Sequence, residues 1–403
     1  MVVTGLVGQH RLGGVAWDYL QYVAGFVEMG FDAYYLEDTG QWEWEYRRDR
    51  EPRGSPQHQE GARFLQRAAG WFRLAGRWCL RDEDGTTYGM SRDELRQVLK
   101  GTELILNIGG EHWWRDEYLE LDAVRALLDP EPGGMFAELA ARERGPHFER
   151  ATRLRALHQV FLTFGERIGR ADCRVPVAGI PWIPTRQPVL LSRVPFARQA
   201  ARRPFTTVLS WIPEKGRPWD SKSSKLELLI KLSRKLGRPL ELALNPWGQE
   251  EPAAHLRAAG WRIVSGPKVS RTPRSYREYL ASSRGELAIA KPKYVQTRSG
   301  WFSGRSALYL ASGRPCILEN TGFSDVLPCG FGLLAFQDAD EALDAMRRVD
   351  GSYARHRRSA REVAEEFFDS RRVLRVLVER CLDDRPQRLS KPAPGAAKRP
   401  DGA

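Results

Sequence analysis

The clearest chemical potential in the chain lies where a predicted loop becomes a helix, in the second half. Ser303, Gly304, Arg305 and Ser306 stand at that transition, shortly after Gly300. At the start of a helix, unpaired backbone N–H groups, serine hydroxyls and the positive end of the helix favour an anion. A guanidinium matches the oxygens of phosphate, so the spacing predicts a phosphate site that includes Arg305. The alternative is that the serines only cap the helix.

A second group of polar residues follows the next predicted strand, 316–318, which comes after a Gly-Arg-Pro turn. The residues of this group are Glu319, Asn320, Thr321, Gly322 and Asp325. In open α/β sheets ligands bind at the carboxyl ends of strands, so we expect the group to line the same site. Two alternatives stay open: Gly322 only turns the chain, and Asp325 either orients a hydroxyl of the ligand or caps the following turn.

The first half of the chain has the pattern of a parallel α/β domain. Residues 2–7 favour a strand, 8–14 a glycine-bearing loop, and the apolar spacing over 16–27 predicts a helix that ends near Gly30. A strand over 33–36 completes a β-loop-α-β unit. Further strands are predicted at 104–110 and 160–165, and polar, aromatic-rich insertions at 41–100 and 111–150.

A proline-rich stretch, 176–204, separates this half from a second α/β domain. The predicted strands of the second domain are 206–211, 240–244, 261–264, 287–290, 316–318 and 332–336. The domain organisation that we expect is 1–195, 196–354, a final helix over 355–382, and a disordered Pro/Ala-rich basic tail over 383–403.

Composition narrows the class of protein. A chain of 403 residues with 42% hydrophobic residues is too long for one ordinary core. It has no apolar run of about 18 residues and no signal-peptide pattern. Its five scattered cysteines lack a C-x-x-C pair, which argues against disulfides and structural zinc. The charge of +12 is spread among interspersed acidic residues, as on an ordinary surface. We therefore expect a cytoplasmic two-domain protein.

Several motifs are similar to those of one enzyme family. S-G-W-F-S-G-R-S, Y-L-A-S-G-R-P, E-N-T-G-F and G-F-G-L-L-A-F resemble the donor-binding half of nucleotide-sugar-dependent glycosyltransferases with the GT-B fold. R-L-G-G-V-A-W-D-Y-L-Q-Y-V, Y-Y-L-E-D-T-G, I-P-W-I-P-T-R-Q-P-V and Y-R-E-Y-L-A-S-S-R-G-E extend the resemblance, to a bacterial branch, over roughly residues 5–350. The resemblance implies two Rossmann-like domains facing across a cleft, with the donor mostly on the second and the acceptor mostly on the first. It also implies that a final helix returns to the first domain, as 355–382 would.

The resemblance assigns roles in the first-half loop. Gly13 and Gly14 would approach the donor diphosphate, because glycine lets the backbone come close to a ligand. His10 lies where inverting relatives place a general base, and the alternative is a surface or hydrogen-bonding histidine. Asp18, one turn into the next helix, is a weaker candidate for the base, because it also fits an exposed N-terminal carboxylate.

Basic residues complete the predicted donor site. Lys222 lies where relatives place a cation that neutralises the leaving diphosphate, and Lys215, Arg217 and Lys225 compete for that role. Lys291, at the end of a predicted strand, is a further contact for phosphate or acceptor. The alternative for each is a solvated surface charge.

One departure from the family leaves the stereochemistry open. Many retaining members carry two glutamates separated by seven residues before the Gly-Arg-Pro turn, and residues 300–314 contain no glutamate. Glu319 comes after the turn and cannot complete such a pair. The predicted donor segment, residues 293–325, has no D-x-D motif, so we expect metal-independent transfer with no cofactor besides the nucleotide-sugar substrate.

The sequence therefore predicts sugar transfer from a nucleoside-diphosphate donor, bound between residues 13–14 and 303–306, to an unidentified acceptor. An epimerase or hydrolase of the same fold is the nearest alternative. A nucleic-acid-binding protein is less favoured, because the basic stretches 271–284 and 347–361 lack the known motifs, and we expect no nucleic-acid partner. A non-catalytic sugar-binding or membrane-surface protein also stays open, with weak contact to anionic lipid through residues 391–399. The sequence identifies no protein partner.

Overall fold

Two parallel β-sheets, one in each half of the chain, position the residues that the sequence singles out. The computed structural model describes residues 1–38, 56–134, 136–145, 147–198, 203–211, 222–246 and 251–382. The predicted α/β class with two Rossmann-like domains is confirmed.

Among the described residues, the first sheet has eight strands. They are β1 (Val2–Thr4), β2 (Tyr34–Asp38), β3 (Trp78–Arg81), β4 (Thr87–Gly89), β5 (Leu104–Ile108), β6 (Val124–Asp129), β7 (Val160–Thr163) and β8 (Ile183–Pro184). Their order is β4-β3-β2-β1-β5-β6-β7-β8, and only the β3–β4 pair is antiparallel. The helices of this part are α1 (Gly13–Glu28), α2 (Pro56–Trp71), α3 (Arg92–Lys100), α4 (Asp116–Leu119), α5 (Ala137–Ala141) and α6 (Phe148–Leu157). Because β1 is central, the loop after it opens in the middle of the sheet edge.

The second sheet is parallel throughout, in the order β11-β10-β9-β12-β13-β14. Its strands are β9 (Phe205–Ser210), β10 (Glu241–Asn245), β11 (Arg262–Ser265), β12 (Gly285–Ala288), β13 (Cys316–Glu319) and β14 (Leu333–Phe336). The remaining helices are α7 (Leu226–Leu236), α8 (Glu251–Ala258), α9 (Gly266–Val269), α10 (Pro273–Ser282), α11 (Pro292–Gln296), α12 (Gly304–Ala311), α13 (Ala339–Gly351), α14 (Tyr353–Phe367) and α15 (Ser370–Leu382). The strand order reverses between β9 and β12, where a doubly wound sheet opens a crevice for ligands.

Helix α1 is the element on which the two domains meet. It packs against the first sheet, against α10 of the second domain and against α15 from the end of the chain. Trp17 of α1 is fully buried, and its indole N–H donates to the Pro273 carbonyl of α10 at 3.0 Å. Apolar residues therefore cover α1 on several sides, unlike a helix that keeps one face in water.

The predicted polar insertions are wrong where they cover buried strands. Strand β6 lies inside the predicted insertion 111–150, and all its residues are buried. Arg125 interrupts its apolar run. Its guanidinium Nε donates to the Leu157 carbonyl at 2.7 Å, which gives this buried donor an acceptor. The described part of the insertion 41–100 likewise contains α2, β3, β4 and α3. Strands β3 and β4 extend the first sheet.

The predicted helix over 355–382 is two helices in the structure. Helix α14 packs on α12 of the second domain, and α15 packs on α1 of the first. Between them, the Val189 amide donates to the Phe368 carbonyl at 2.6 Å and the Ser370 amide donates to the Val189 carbonyl at 3.0 Å. The interdomain segment thus fixes the break between the helices. The domain boundaries at 195 and 354 stay predictions, and the tail 383–403 lies outside the described residues.

Candidate functional site

Helix α12 begins beside the first domain with unused backbone donors. Ser303 is its N-cap and makes no side-chain capping bond, and the first intrahelical bond runs from the Ala307 amide to the Ser303 carbonyl at 3.1 Å. Within the described part of the chain, the amides of Gly304, Arg305 and Ser306 have no acceptor. The predicted anion site therefore has the free helix N-terminus that it requires.

The Arg305 guanidinium is oriented by hydrogen bonds to two strands of the second sheet. Its Nε donates to Glu286 Oε1 at 2.6 Å and its Nη1 donates to the Val208 carbonyl at 2.9 Å. Glu286 lies on β12 and is fully buried. Two of the three guanidinium nitrogens thus orient the group, and Nη2 has no acceptor among the described residues. The phosphate contact predicted for Arg305 would use Nη2 together with the helix start.

Two lysines add positive charge on the same side of the cleft. Burial lowers the pKa of Lys222 to about 7, and repulsion from Arg305 and Lys291 acts in the same direction. The Lys222 ammonium makes no hydrogen bond or ion pair within the described residues. Lys291 instead reaches the first domain, where its ammonium donates to Glu131 Oε1 and Oε2 at 2.9 and 2.8 Å. The competitor Lys225 pairs with Glu319 at 2.5 Å, and Lys215 and Arg217 lie outside the described residues.

Asp18 of α1 faces the start of α12. A Cβ atom on Gly304 would lie 3.2 Å from Asp18 Oδ1, so the carboxylate lies beside this glycine across the domain junction. The side chain is exposed to solvent, although the protein atoms around it bury its carboxylate in part. This burial raises the pKa of Asp18 to about 7, against the opposing effect of Arg305. A carboxylate with such a pKa can take up a proton near neutral pH.

The loop between β1 and α1 has most of its amides occupied by protein groups. The Gly8 and Gln9 amides donate to the two Glu37 oxygens at 2.7 and 2.9 Å, and the Val7 amide donates to the Tyr35 hydroxyl at 3.0 Å. Burial raises the pKa of Glu37 to about 7, although these bonds oppose the rise. The Glu37 carboxylate therefore fills a backbone nest that would otherwise suit an external anion.

Gly13 and Gly14 contact the second domain directly. Their amides donate to the Ser270 carbonyl at 2.5 Å and the Ser270 hydroxyl at 3.0 Å. In this structure the first domain therefore offers the diphosphate neither of these amides, and the donor role assigned to the two glycines stays a prediction. His10, in the same loop, is half-buried, and burial lowers its pKa. Its role as a base also stays a prediction.

We expect Gly13→Ala to disrupt the docking of the two domains. A Cβ on Gly13 would lie 2.1 Å from the Thr272 carbonyl oxygen and 2.4 Å from its carbon, and a backbone cannot yield as a flexible side chain does. The change should lower the thermal unfolding temperature and loosen the junction, measured as faster amide exchange in α1 and α10. Gly70→Ala is the control, because a Cβ there meets nothing within 4 Å. Equal protection of α1 in both variants would contradict the role given to Gly13.

Comparison with known proteins places this geometry in a known architecture. No protein-family model and no curated protein matches the chain. Among solved structures, Anabaena Alr3699/HepE in complex with UDP-glucose is 9% identical, with a TM-score of 0.53 over 94% of this chain and 98% of that one. Sucrose-phosphate synthase from Thermosynechococcus elongatus is 11% identical, with a TM-score of 0.52 over 94% and 97%. The chain has the GT-B fold. A third example, the E. coli trehalose-6-phosphate structure bound with UDP-2-fluoro glucose, has 10% identity and a TM-score of 0.50 over 94% and 98%.

Within this GT-B chain, the residues after β13 mostly hold the cleft wall together. Glu319 accepts the Ala290 amide at 3.0 Å besides its bond with Lys225, and Thr321 Oγ1 donates to the Trp301 carbonyl at 2.6 Å. Asp325 pairs with Arg298 and with Arg167 of the first domain, each at 3.0 Å. Asn320 bonds to Ser324 and to the amide of Gly322, which has a φ of +94°. The five predicted residues come together after β13, and their role in donor binding stays a prediction.

Sequence reasoning missed the first-domain partners of the GT-B cleft. Glu131, after β6, receives Lys291 and also Lys293 at 3.2 Å. Burial opposes ionisation, but the two ammonium groups hold the pKa of Glu131 well below its ordinary value. Glu131 follows a strand that the sequence analysis did not assign, so its position at a sheet edge went unnoticed. The P-E-P-G-G turn after that strand was the available signal.

The described residues contain neither a metal-binding cluster nor a membrane-spanning helix. Within that part, no three His, Cys, Asp or Glu side chains come together as a potential metal site. None of its helices combines the length and the apolar character needed to cross a bilayer.

Proposed function

We propose that the protein is a glycosyltransferase that moves a sugar from a nucleoside-diphosphate donor to an acceptor hydroxyl. One observation carries this proposal. The free N-terminus of α12, Arg305 and Lys222 form a basic wall, and Asp18 faces that wall across the domain junction. A diphosphate fits the basic wall, and a proton acceptor stands opposite it.

In the proposed reaction, the acceptor oxygen forms a bond to the anomeric carbon while the bond from that carbon to the diphosphate oxygen breaks. The negative charge that develops on the leaving diphosphate is stabilised by the α12 amides and the neighbouring cations, without a metal ion. The acceptor proton passes to the Asp18 carboxylate, for which His10 is the competing base. The donor is the only small molecule besides the acceptor.

The solved structures of the same fold support the choice of donor class. HepE binds UDP-glucose and the E. coli structure holds UDP-2-fluoro glucose. Neither structure identifies the nucleobase or the sugar of the donor for this chain. We therefore propose a thermal-shift panel of nucleoside diphosphates and nucleotide sugars. Selective binding raises the unfolding temperature by mass action. With a labelled donor that binds, transfer gives a labelled acceptor product, whereas hydrolysis gives free sugar and epimerisation gives an altered donor.

Donor binding should consume a proton at pH 8 through Lys222. With a pKa of about 7, its amine is mostly neutral at pH 8, and a bound diphosphate favours the ammonium form. Calorimetry in two buffers of different ionisation enthalpy should therefore show an uptake of about one proton per nucleotide sugar. Lys222→Met should remove this uptake and weaken binding by about tenfold or more, as for a charge-assisted hydrogen bond.

Lys268→Met is the matched control for this experiment. Lys268 is exposed on α9, and its ammonium has no ion pair within the described residues. Its replacement should leave both the affinity and the proton uptake unchanged. Buffer-independent binding enthalpy in the unaltered protein would show that Lys222 does not meet the diphosphate.

A further inference from the structure

A second basic cluster lies away from the cleft, where α2, the interdomain segment and α10 meet. Its centre is the half-buried indole of Trp71, at the end of α2. The guanidinium carbons of Arg193 and Arg277 each lie 5.6 Å from the centre of that ring. Arg193 belongs to the segment between the domains and Arg277 to α10, so the cluster joins three parts of the chain around one ring.

The positive charge of this cluster is only partly balanced. Arg73, just beyond Trp71, is exposed; burial is the main cause that lowers the pKa of Arg193, and repulsion from Arg73 adds to it. Within the described residues, the guanidinium groups of Arg73 and Arg193 make no hydrogen bond or ion pair. The nearby carboxylate, Glu28, attracts Arg193 but already accepts the Ser192 hydroxyl at 2.7 Å.

The third arginine of the cluster is only partly engaged. Arg277 donates from Nη1 to the Arg193 carbonyl at 3.0 Å. Its Nη2 lies 3.8 Å from Glu278, a carboxylate that bonds more closely to Arg274 at 2.7 Å. Two guanidinium groups therefore lie against one ring, with Arg73 next to that ring in the chain, and all three groups have unused donor nitrogens.

From this juxtaposition we infer a binding site for a phosphate-bearing anion, formed by Arg73, Arg193 and Arg277 around Trp71. Three neighbouring guanidinium groups favour a ligand with several acceptor oxygens and more than one negative charge, which a phosphate or diphosphate supplies and a single carboxylate does not. Such an anion would contact both domains and the segment between them. It would therefore stabilise their observed arrangement by binding it preferentially. The inference does not depend on sugar transfer.

The test is a calorimetric titration of the full-length protein with pyrophosphate. The unaltered protein should bind pyrophosphate at two places, the cluster and the proposed donor site. Arg73→Gln should weaken pyrophosphate binding at the cluster by about tenfold or more and leave binding at the proposed donor site unchanged. Arg73 is exposed, so its loss does not endanger the fold. Arg193→Gln should weaken the same class. Lys222→Met should affect only the other class, and Arg257→Gln, exposed on α8, should affect neither.

Vesicles distinguish a lipid headgroup from a soluble phosphate. Vesicles of phosphatidylcholine alone are compared with vesicles that also contain phosphatidic acid. Sedimentation with the second kind, lost in Arg73→Gln, supports a headgroup, and pyrophosphate binding without sedimentation supports a soluble anion. The inference is overturned if Arg73→Gln and Arg193→Gln change neither measurement. Failure of the Lys222→Met arm alone would count against the proposed donor site instead.

Discussion

Asp18→Asn is expected to reduce the rate of sugar transfer by about 10²–10⁴-fold, the usual contribution of proton transfer to a positioned side chain. Asparagine keeps the size of the side chain but cannot accept a proton at neutral pH. Asp18 faces Gly304 at the start of α12, so the change should leave the affinity for a nucleotide sugar within a few-fold of its original value. A rate that falls while donor affinity holds indicates a group that acts in the transition state.

The pH dependence of the transfer rate tests the role of Asp18 independently. Burial raises the pKa of Asp18 to about 7, and a base works only when it is deprotonated. The rate at saturating donor should therefore rise with pH through about 7 and then level off, and Asp18→Asn should remove this rising limb. Asp93→Asn, at an exposed position in α3, is the control and should leave rate and profile unchanged.

His10 is the competing explanation, and one more variant separates the two. Burial lowers the pKa of His10, so its imidazole becomes able to accept a proton at a lower pH than an ordinary histidine does. If His10→Gln abolishes turnover while Asp18→Asn retains it, the base is His10. If both variants keep the original turnover, transfer proceeds by chemistry that needs neither base.

Arg305→Ala is expected to destabilise the protein by about 3–5 kcal/mol, the usual cost of removing one partner of a buried ion pair. Its Nε bonds to Glu286 at 2.6 Å, and Glu286 is fully buried on β12. Without the guanidinium, the buried carboxylate loses the cation that hydrogen-bonds to it. Denaturant unfolding should therefore show a lower midpoint. This loss of stability would obscure any direct effect of the variant on donor binding.

The double variant Arg305→Ala/Glu286→Gln separates stability from binding. A neutral amide in place of the carboxylate removes the uncompensated charge, so most of the lost stability should return. Donor affinity should nevertheless stay about tenfold or more below the original, because the contact from Arg305 to the diphosphate is still missing. Arg96→Ala, which breaks an exposed pair with Asp93, should cost about 1 kcal/mol or less. Full donor affinity in the double variant would exclude Arg305 from the site.

Local sequence patterns predicted the elements whose signals are contained within a short stretch. The helix that ends near Gly30 was predicted because its apolar spacing and its terminal glycine are local, and the structure has α1 over Gly13–Glu28 with Gly30 at a φ of +89°. The loop-to-helix transition at residues 303–306 was also predicted from local residue types, and α12 begins there, at Gly304. Strand β6 was missed because Arg125 breaks its apolar run, and the Leu157 carbonyl that accepts this arginine is distant in sequence.

The sequence by itself thus determined the alternation of strands and helices, the two-domain organisation and the anion-compatible start of α12. Only the tertiary structure decided what faces that helix start. It placed Asp18 against Gly304, joined Lys291 to Glu131, and used the Gly13 and Gly14 amides to bind Ser270. Each of these pairs joins residues more than 150 positions apart. No local periodicity encodes such contacts, because they depend on how the two sheets are docked through α1, α10 and α15.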